Sequence, residues 1–478
     1  MIVRIDGDIT RTYCQNLCLI FFPGAKFPEN EEQTGEIPEA NVVLRLENDT
    51  YYSKVTLFDG KNTAMGEGEA EFNEIRTQDR AKKLAVGKAF QRAGEVLLGA
   101  APPWGISTGV RPSKLAEELV RQGRDREEAL EALTRDFLIR PDKAALLTEV
   151  NERQKYARSL LGSDTCSLYV SIPFCPTRCA YCSFVSYSTP KYLSTLPDYL
   201  DKLCLDIAER CKMINEAGKK IKTVYIGGGT PTVLDEKQLA RLLSTVVDNV
   251  KGHDILEFTV EAGRPDTVTK EKFDIMTSYG VDRTSINPQI LDDSVLKEIG
   301  RRHTVDDFYR AYDIAVKSGI KSINTDLIAG LPSATEESFS STVDKIISLN
   351  PQNVTVHTYC VKRAASFTTE ALLQGDKRGI YSFFGDVSSA CVDYAQKALG
   401  KSGYFPYYLY RQKNAQGNLE NVGFCRDGYE GLYNIFIMEE LQDIYAVGAG
   451  AVSKFISKNG GKIERIFEPK YTYEYINK

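Results

Sequence analysis

The spacing of apolar residues changes character near Ser167. Before it, Val42, Leu44 and Leu46 alternate with polar neighbours, as do Val55 and Leu57. Period two predicts half-buried strands within residues 1 to about 75. Lys82 to Leu98 predicts a helix, and Ala101-Pro102-Pro103-Trp104-Gly105 ends the regular pattern. Arg111 to Gly162 is charged and helix-prone, with Leu115, Leu119 and Leu130 as apolar positions. Residues 1–165 therefore read as a mixed α+β domain.

After Ser167, short apolar runs alternate with amphipathic stretches. Strands are predicted at Leu168–Pro173, Ile221–Ile226, Ile255–Val260, Asp282–Ile286, Ser322–Ile328 and Val354–Tyr359. Between them lie stripes of helical period: Leu200, Leu203, Ile207, Cys211 and Ile214, then Leu239, Leu242, Leu243, Val246 and Val250. Further helices are predicted near Thr269 to Tyr279, from Asp292, and over Glu336–Leu349. Thr304 with Asp307 has the spacing of a capping box, with Asp in place of the usual Glu. Phe308, Tyr312, Ala315 and Val316 form the apolar face that follows. Repeated βα units predict parallel strands covered by helices. Six units suit a partial, open barrel rather than the eight-unit closed form, with a doubly wound sheet as the competing fold. This barrel occupies residues 166–375. Residues 376–478, dense in Tyr, Phe and Gly from Tyr404 to Tyr433, read as a C-terminal extension or lid.

Composition narrows the classes. The 478 residues are 42% hydrophobic and 26% charged. That is enough apolar material for a large core, and a length that suits about three domains or two large ones. A net charge of −5 disfavours a globally basic nucleic-acid binder. No run of 18 apolar residues predicts a membrane span, and the first residues lack a signal-peptide pattern, so a cytoplasmic location is expected. Eleven cysteines in such a chain point to metal binding or buried thiols rather than a disulfide frame. Lys82, Arg111 and Lys114 form either a binding face or solvated surface.

Chemistry enters with Cys175-Pro-Thr-Arg-Cys179-Ala-Tyr-Cys182, spaced C-x3-C-x2-C. A closed structural zinc site wants four ligands, so zinc needs Cys166 or Cys204 as a fourth. Three thiolates on one loop suit a four-iron cluster that keeps one iron open for a ligand. A second feature is Val224-Tyr-Ile-Gly227-Gly228-Gly229-Thr230-Pro231-Thr232, directly after a predicted strand. Glycine lets backbone approach a ligand closely, but the spacing is not the dinucleotide fingerprint. Glu261 closes one predicted strand, and Asp326 lies inside an apolar one, where a lone charge is costly.

The cysteine spacing after a first barrel strand resembles the radical S-adenosylmethionine (SAM) superfamily. Tyr169-Val-Ser-Ile-Pro-Phe-Cys175 resembles its oxygen-independent coproporphyrinogen III oxidase branch. Pro102-Trp-Gly-Ile-Ser-Thr-Gly-Val-Arg-Pro112 and Val447-Gly-Ala-Gly-Ala-Val-Ser-Lys454 resemble the coproporphyrinogen dehydrogenase variant with a long N-terminal extension. The resemblance implies an α/β fold. It is a partial (β/α)6 TIM-like barrel of the radical SAM type, with an α+β N-terminal domain and a C-terminal extension. It implies a [4Fe-4S] cluster on Cys175, Cys179 and Cys182, with SAM on the open iron. Tyr169 matches a tyrosine near the sulfonium, and Tyr181 places backbone near the adenine. Gly228, Gly229 and Thr230 match the run at the amino end of SAM. Glu261 matches a ribose ligand, Asp326 a residue near the ribose, and Arg301 an arginine for the SAM carboxylate. Gln289 matches a polar residue next to the SAM and substrate region. The expected catalytic set is the three cysteines with Tyr169 and Gln289.

The implied reaction is oxidative decarboxylation of coproporphyrinogen III propionates to vinyl groups by a 5′-deoxyadenosyl radical. The implied partners are the tetrapyrrole substrate, reduced flavodoxin or ferredoxin as electron donor, and an unnamed terminal electron acceptor. Two departures keep other readings open. Phe184 stands where some family members that oxidise coproporphyrinogen carry a fourth cysteine; it is closer to the pattern of related heme-handling proteins of the same branch, and can serve as an apolar wall beside the cluster. The run His357-Thr-Tyr-Cys-Val-Lys-Arg363 lacks the usual Pro-Gly string, and Lys362-Arg363 are candidates for meeting propionates. Heme degradation or modification with the same SAM site, and a heme chaperone that retains the cluster, are the alternatives.

Overall fold

The computed structural model describes residues 1–28, 37–74, 76–184, 186–360, 387–412, 415–456 and 463–478. The chain divides into two compact units. One comprises residues 1–152, 375–389 and 409–420, the other residues 153–374, 390–408 and 421–478.

The first unit holds a sheet of β1 (Ile2–Asp6), β2 (Glu39–Glu47), β3 (Thr50–Phe58) and β4 (Thr63–Glu71) in that order. β1 runs parallel to β2, and β2, β3 and β4 form an antiparallel meander. The alternation of Val42 and Leu44, and of Val55 and Leu57, puts these side chains in the core under the helix Gln78–Leu98. The helix turns Ala85 and Ala89 toward β4, where Gly66 and Gly68 supply the missing volume. A Cβ on either glycine would collide with the helix backbone. Arg80, Lys83, Arg111 and Lys114 line a cavity of about 460 Å³ in this unit.

Among the described residues the larger sheet contains eleven strands. Its core is β5 (Thr165–Ile172), β6 (Lys220–Gly228), β7 (Glu257–Glu261), β8 (Arg283–Ser285), β9 (Ser322–Ala329) and β10 (Asn353–Thr358). All five pairings among these are parallel. These are the six strands read from the sequence, and the α/β array is the open, partial barrel type. Intervening helices bury the predicted stripes. Leu239, Leu242, Leu243 and Val246 are buried on Glu236–Asn249, which Asp235 and Gln238 start with a capping box. Phe308, Ala311, Tyr312 and Ala315 are buried on Val305–Lys317, with the Thr304–Asp307 box in place. Val316, counted with that stripe in the sequence, is instead 53% exposed, because it lies past the edge of the packed face.

The C-terminal part of the chain joins both sides of this core. β12 (Glu420–Cys425) pairs antiparallel with β10, and β11 (Phe405–Arg411) lies beyond it. β13 (Asp443–Val447) pairs parallel with β5, followed by antiparallel β14 (Val452–Phe455) and β15 (Glu464–Phe467). Gly448, just past β13, has φ +96°, and a Cβ there would lie 2.5 Å from the Ser171 carbonyl oxygen. Ser171 in turn donates to the Ala449 carbonyl, so the closing Gly-Ala-Gly-Ala run seats against the end of β5. Among the described residues no helix is long and apolar enough to cross a membrane.

Candidate active site

Parallel strands bring their carboxyl ends to one edge, where ligands of such sheets bind. The loop after β5 carries the three thiols, each part-exposed. Backbone bonds hold that loop: Cys175 N–H to the Tyr187 carbonyl at 3.1 Å, and Ala180 N–H to the Ile299 carbonyl at 2.9 Å. Cys166 lies near the start of β5, ~20 Å away along the strand at ~3.3 Å per residue, and cannot complete a zinc site with this loop. Cys204 belongs to the helix Leu196–Glu216, where it accepts from Thr245 Oγ1 at 3.4 Å. Among the described residues no three His, Cys, Asp or Glu side chains gather as ligands of one metal ion. A four-iron cluster makes a different demand, because each of three irons takes its own thiolate.

The glycine run that ends β6 packs against this loop. Gly229 N–H donates to the Ile172 carbonyl at 2.8 Å, and Thr230 N–H to the Phe174 carbonyl at 2.8 Å. A Cβ on Gly229 would sit 2.5 Å from the Phe174 carbonyl oxygen and 3.0 Å from Cys175 Sγ. Close approach therefore requires glycine here. Thr230 Oγ1 donates to Cys175 Sγ at 3.4 Å.

Glu261 ends β7 with its carboxylate turned toward β6. Tyr225 donates to Glu261 Oε1 at 2.5 Å. Burial lifts the Glu261 carboxyl to about 7; the Tyr225 bond pulls it down and the charge of Asp326 adds to the lift. Tyr169 on β5 stacks with Tyr225 at 6.1 Å and with Tyr433 at 6.2 Å, and Tyr225 and Tyr433 stack at 4.4 Å.

Asp326, on β9, is not a lone charge. Asn287 Nδ2 donates to one oxygen at 2.8 Å and Asn324 Nδ2 to the other at 2.7 Å. His357 Nε2 lies 3.8 Å from the carboxylate. Burial works to raise the Asp326 carboxyl, but His357 and Asn324 hold it below its ordinary value. Asn287 ties this group to Arg301: Nη1 of Arg301 donates to the Asn287 carbonyl at 2.7 Å and to the Gly263 carbonyl at 3.1 Å. Nη2 donates to the Tyr181 hydroxyl at 3.1 Å. Gln289 has φ +67°, and its backbone bonds on both sides to β9, through the Asp326 carbonyl and the Ile328 N–H. Arg301 Nε and Gln289 Oε1 are buried without a protein partner.

Tyr225, Asn287 and Arg264 escaped the sequence reading. Tyr225 reads as a strand residue, and Asn287 and Arg264 as loop residues. Phe184 differs from its placement as an apolar wall, being 68% exposed, because the loop turns it outward after Cys182. Burial, with Arg301 nearby, presses His303 down to about 3, so it stays neutral near pH 7. Lys362-Arg363 lie outside the described residues.

The Radical SAM superfamily profile matches residues 169–346. The chain is 39% identical to the oxygen-independent coproporphyrinogen-III oxidase-like protein HemZ of Bacillus subtilis, over 99% of this chain and 95% of that protein. It is 30% identical to the heme chaperone HemW of Lactococcus lactis, over 65% of this chain and 76% of that one. In structure it is similar to coproporphyrinogen III oxidase (HemN) of Escherichia coli, with a TM-score of 0.52 and 24% identity, covering 68% of this chain and 71% of that one. This chain belongs to the coproporphyrinogen oxidase-like branch of the radical SAM superfamily.

Radical SAM proteins carry a [4Fe-4S] cluster and SAM. The groups at this edge of the sheet suit both. The thiols supply soft ligands from one loop. The buried, unpartnered Arg301 Nε is a donor for a carboxylate, and Gln289 Oε1 is an acceptor left open. Glu261 and Asp326 offer carboxylate oxygens to hydroxyl groups.

Proposed function

We propose that this radical SAM protein oxidatively decarboxylates the propionates of coproporphyrinogen III to vinyl groups, giving protoporphyrinogen IX. Similarity over 99% of the chain to an oxidase-like relative supports this reading most directly. The proposed roles are residue by residue. Cys175, Cys179 and Cys182 ligate the cluster. Thr230 steadies the Cys175 sulfur, and Gly228 and Gly229 let backbone approach the amino end of SAM. Glu261 accepts from the ribose hydroxyls while Tyr225 fixes one of its oxygens. Asp326 borders the ribose. Arg301, with Nη1 and Nη2 already engaged, offers Nε to the SAM carboxylate. Tyr181 backs the arginine and lends backbone to the adenine. Tyr169 walls the sulfonium side, and Gln289 stands between SAM and substrate.

When bound, the cluster and SAM supply a carbon radical that takes a hydrogen atom from the propionate β-carbon. Loss of carbon dioxide and of one electron to an acceptor then leaves the vinyl group. Reduced flavodoxin or ferredoxin is the proposed donor of the initiating electron. The protein's own task is to orient these groups and keep water from them.

A heme chaperone is the second reading, favoured by the 30% identity to HemW. Anaerobic turnover of coproporphyrinogen III with SAM and a reductant decides between them. Protoporphyrinogen, carbon dioxide and 5′-deoxyadenosine appearing together support the decarboxylase. Deoxyadenosine without decarboxylated product rejects this substrate. Tight heme binding without SAM cleavage by the fully loaded protein establishes the chaperone.

A further inference from the structure

Arg264 stands on the loop after β7, three residues past Glu261, and its side chain turns inward to 4% exposure. Its guanidinium spans two loops. On one side Asp266 holds it, Nε to Oδ1 at 3.0 Å and Nη2 to Oδ2 at 3.1 Å. On the other side Nη2 donates to Thr177 Oγ1 at 2.7 Å, and Nη1 lies 3.2 Å from Cys179 Sγ. A two-point carboxylate grip fixes the plane of the fork, so the Nη1–H direction toward sulfur is set before any cofactor arrives. The three thiols are thereby unequal. Cys175 accepts from a neutral threonine hydroxyl, whereas Cys179 accepts from a buried cation.

We propose that Arg264 is a positioning residue that sets the reduction potential of the cluster through a charge-assisted hydrogen bond to the Cys179 sulfur. The inference rests on Cys175, Cys179 and Cys182 being the cluster ligands. Reduction adds one negative charge to the cluster and its thiolates. A fixed positive charge with an N–H on one sulfur stabilises that added charge, and hydrogen bonds to sulfur are among the levers that tune such clusters. The guanidinium is buried while the Cys179 sulfur is part-exposed, so the charge is less screened than at an open surface. Removing the cation therefore favours the oxidised cluster. The Thr177 bond alone would suffice to staple the loop; the contact with sulfur is the part that acts on the electron.

The test uses the full chain, reconstituted anaerobically, with iron and sulfide content measured first. A mediated redox titration followed by electron paramagnetic resonance reads the midpoint of wild type, Arg264→Gln and Arg264→Lys. Arg264→Gln is expected to lower the reduced-to-oxidised ratio at a fixed poise at least tenfold, about 59 mV for one electron. Arg264→Lys, which keeps the charge, is expected to recover most of that loss. An unchanged midpoint in fully loaded Arg264→Gln overturns the proposal, as does an equal drop in Arg264→Lys. If neither variant loads, wild-type and Arg301→Ala proteins carrying ¹⁵N-arginine decide by nuclear double resonance on the reduced cluster. A nitrogen coupling that survives Arg301→Ala supports the contact, and its absence overturns it. The ligand assignment fails separately, if a triple alanine variant of the cysteines retains its full iron.

Discussion

The Tyr225 phenol donates to Glu261 Oε1 at 2.5 Å, joining neighbouring strands β6 and β7 at the ligand-facing edge of the sheet. The pair lies beside the stacked rings of Tyr169 and Tyr433. Burial lifts Glu261 to about 7, and the Tyr225 bond is the larger of two hydrogen bonds that oppose the lift, the other coming from the Gly228 backbone. If the ionised form receives the ribose, SAM affinity rises with pH through about 7 and levels off above it. Tyr225→Phe removes the opposing bond, so the midpoint of that rise moves to higher pH. Calorimetric titration of the loaded protein across pH 6 to 9 checks this; a flat profile in wild type removes Glu261 from the ribose.

Arg301→Ala and Glu261→Gln are expected to weaken SAM binding while iron content stays close to wild type. Each loses a charge-assisted bond of ~1.5–3 kcal/mol, roughly 10- to 100-fold in affinity. Calorimetry beside iron analysis separates the two effects. Wild-type affinity in both variants excludes these residues from the SAM site.

Gly229→Ala removes no ligand, yet it is expected to cost the protein much of its iron. The new Cβ would press on the Phe174 carbonyl and on Cys175 Sγ, and the cysteine loop must move to admit it. Iron retention equal to wild type would show that the loop yields without losing the cluster. Thr230→Val, which leaves the backbone alone, is expected to load normally.

In the first unit, Glu420 accepts from Trp104 Nε1 and from Lys143 Nζ, both at 2.7 Å, and the ion pair is fully buried. Glu420→Ala leaves the Lys143 charge without its carboxylate, at a cost of about 3–5 kcal/mol. Trp104 is the only tryptophan of the chain, so its emission follows the unfolding of its own surroundings directly. Denaturation of Glu420→Ala at lower urea, by that signal, is the expected result. An unmoved midpoint would mean that Lys143 finds another partner.

Much of this protein was legible in its sequence wherever the governing contacts are short along the chain. The C-x3-C-x2-C spacing puts three thiols on one loop whatever surrounds it. The stripe Leu239, Leu242, Leu243 and Val246 buries one helix face, and Thr304 and Asp307 cap a later helix, because those partners lie within one or two turns. The six parallel strands follow from the alternation of such units. What only the tertiary structure decided depends on the pairing of distant segments. β13 could be seated on β5 only by pairing residues 443–447 with residues 166–170. Tyr225 looks like any residue of an apolar strand until the register of β6 on β7 sets its hydroxyl on Glu261. Arg264 looks like a solvated loop charge until folding closes two loops around it. A side chain's partner along the chain is set by local geometry, while a partner across the fold is set by packing and strand register, which no single stretch of sequence contains.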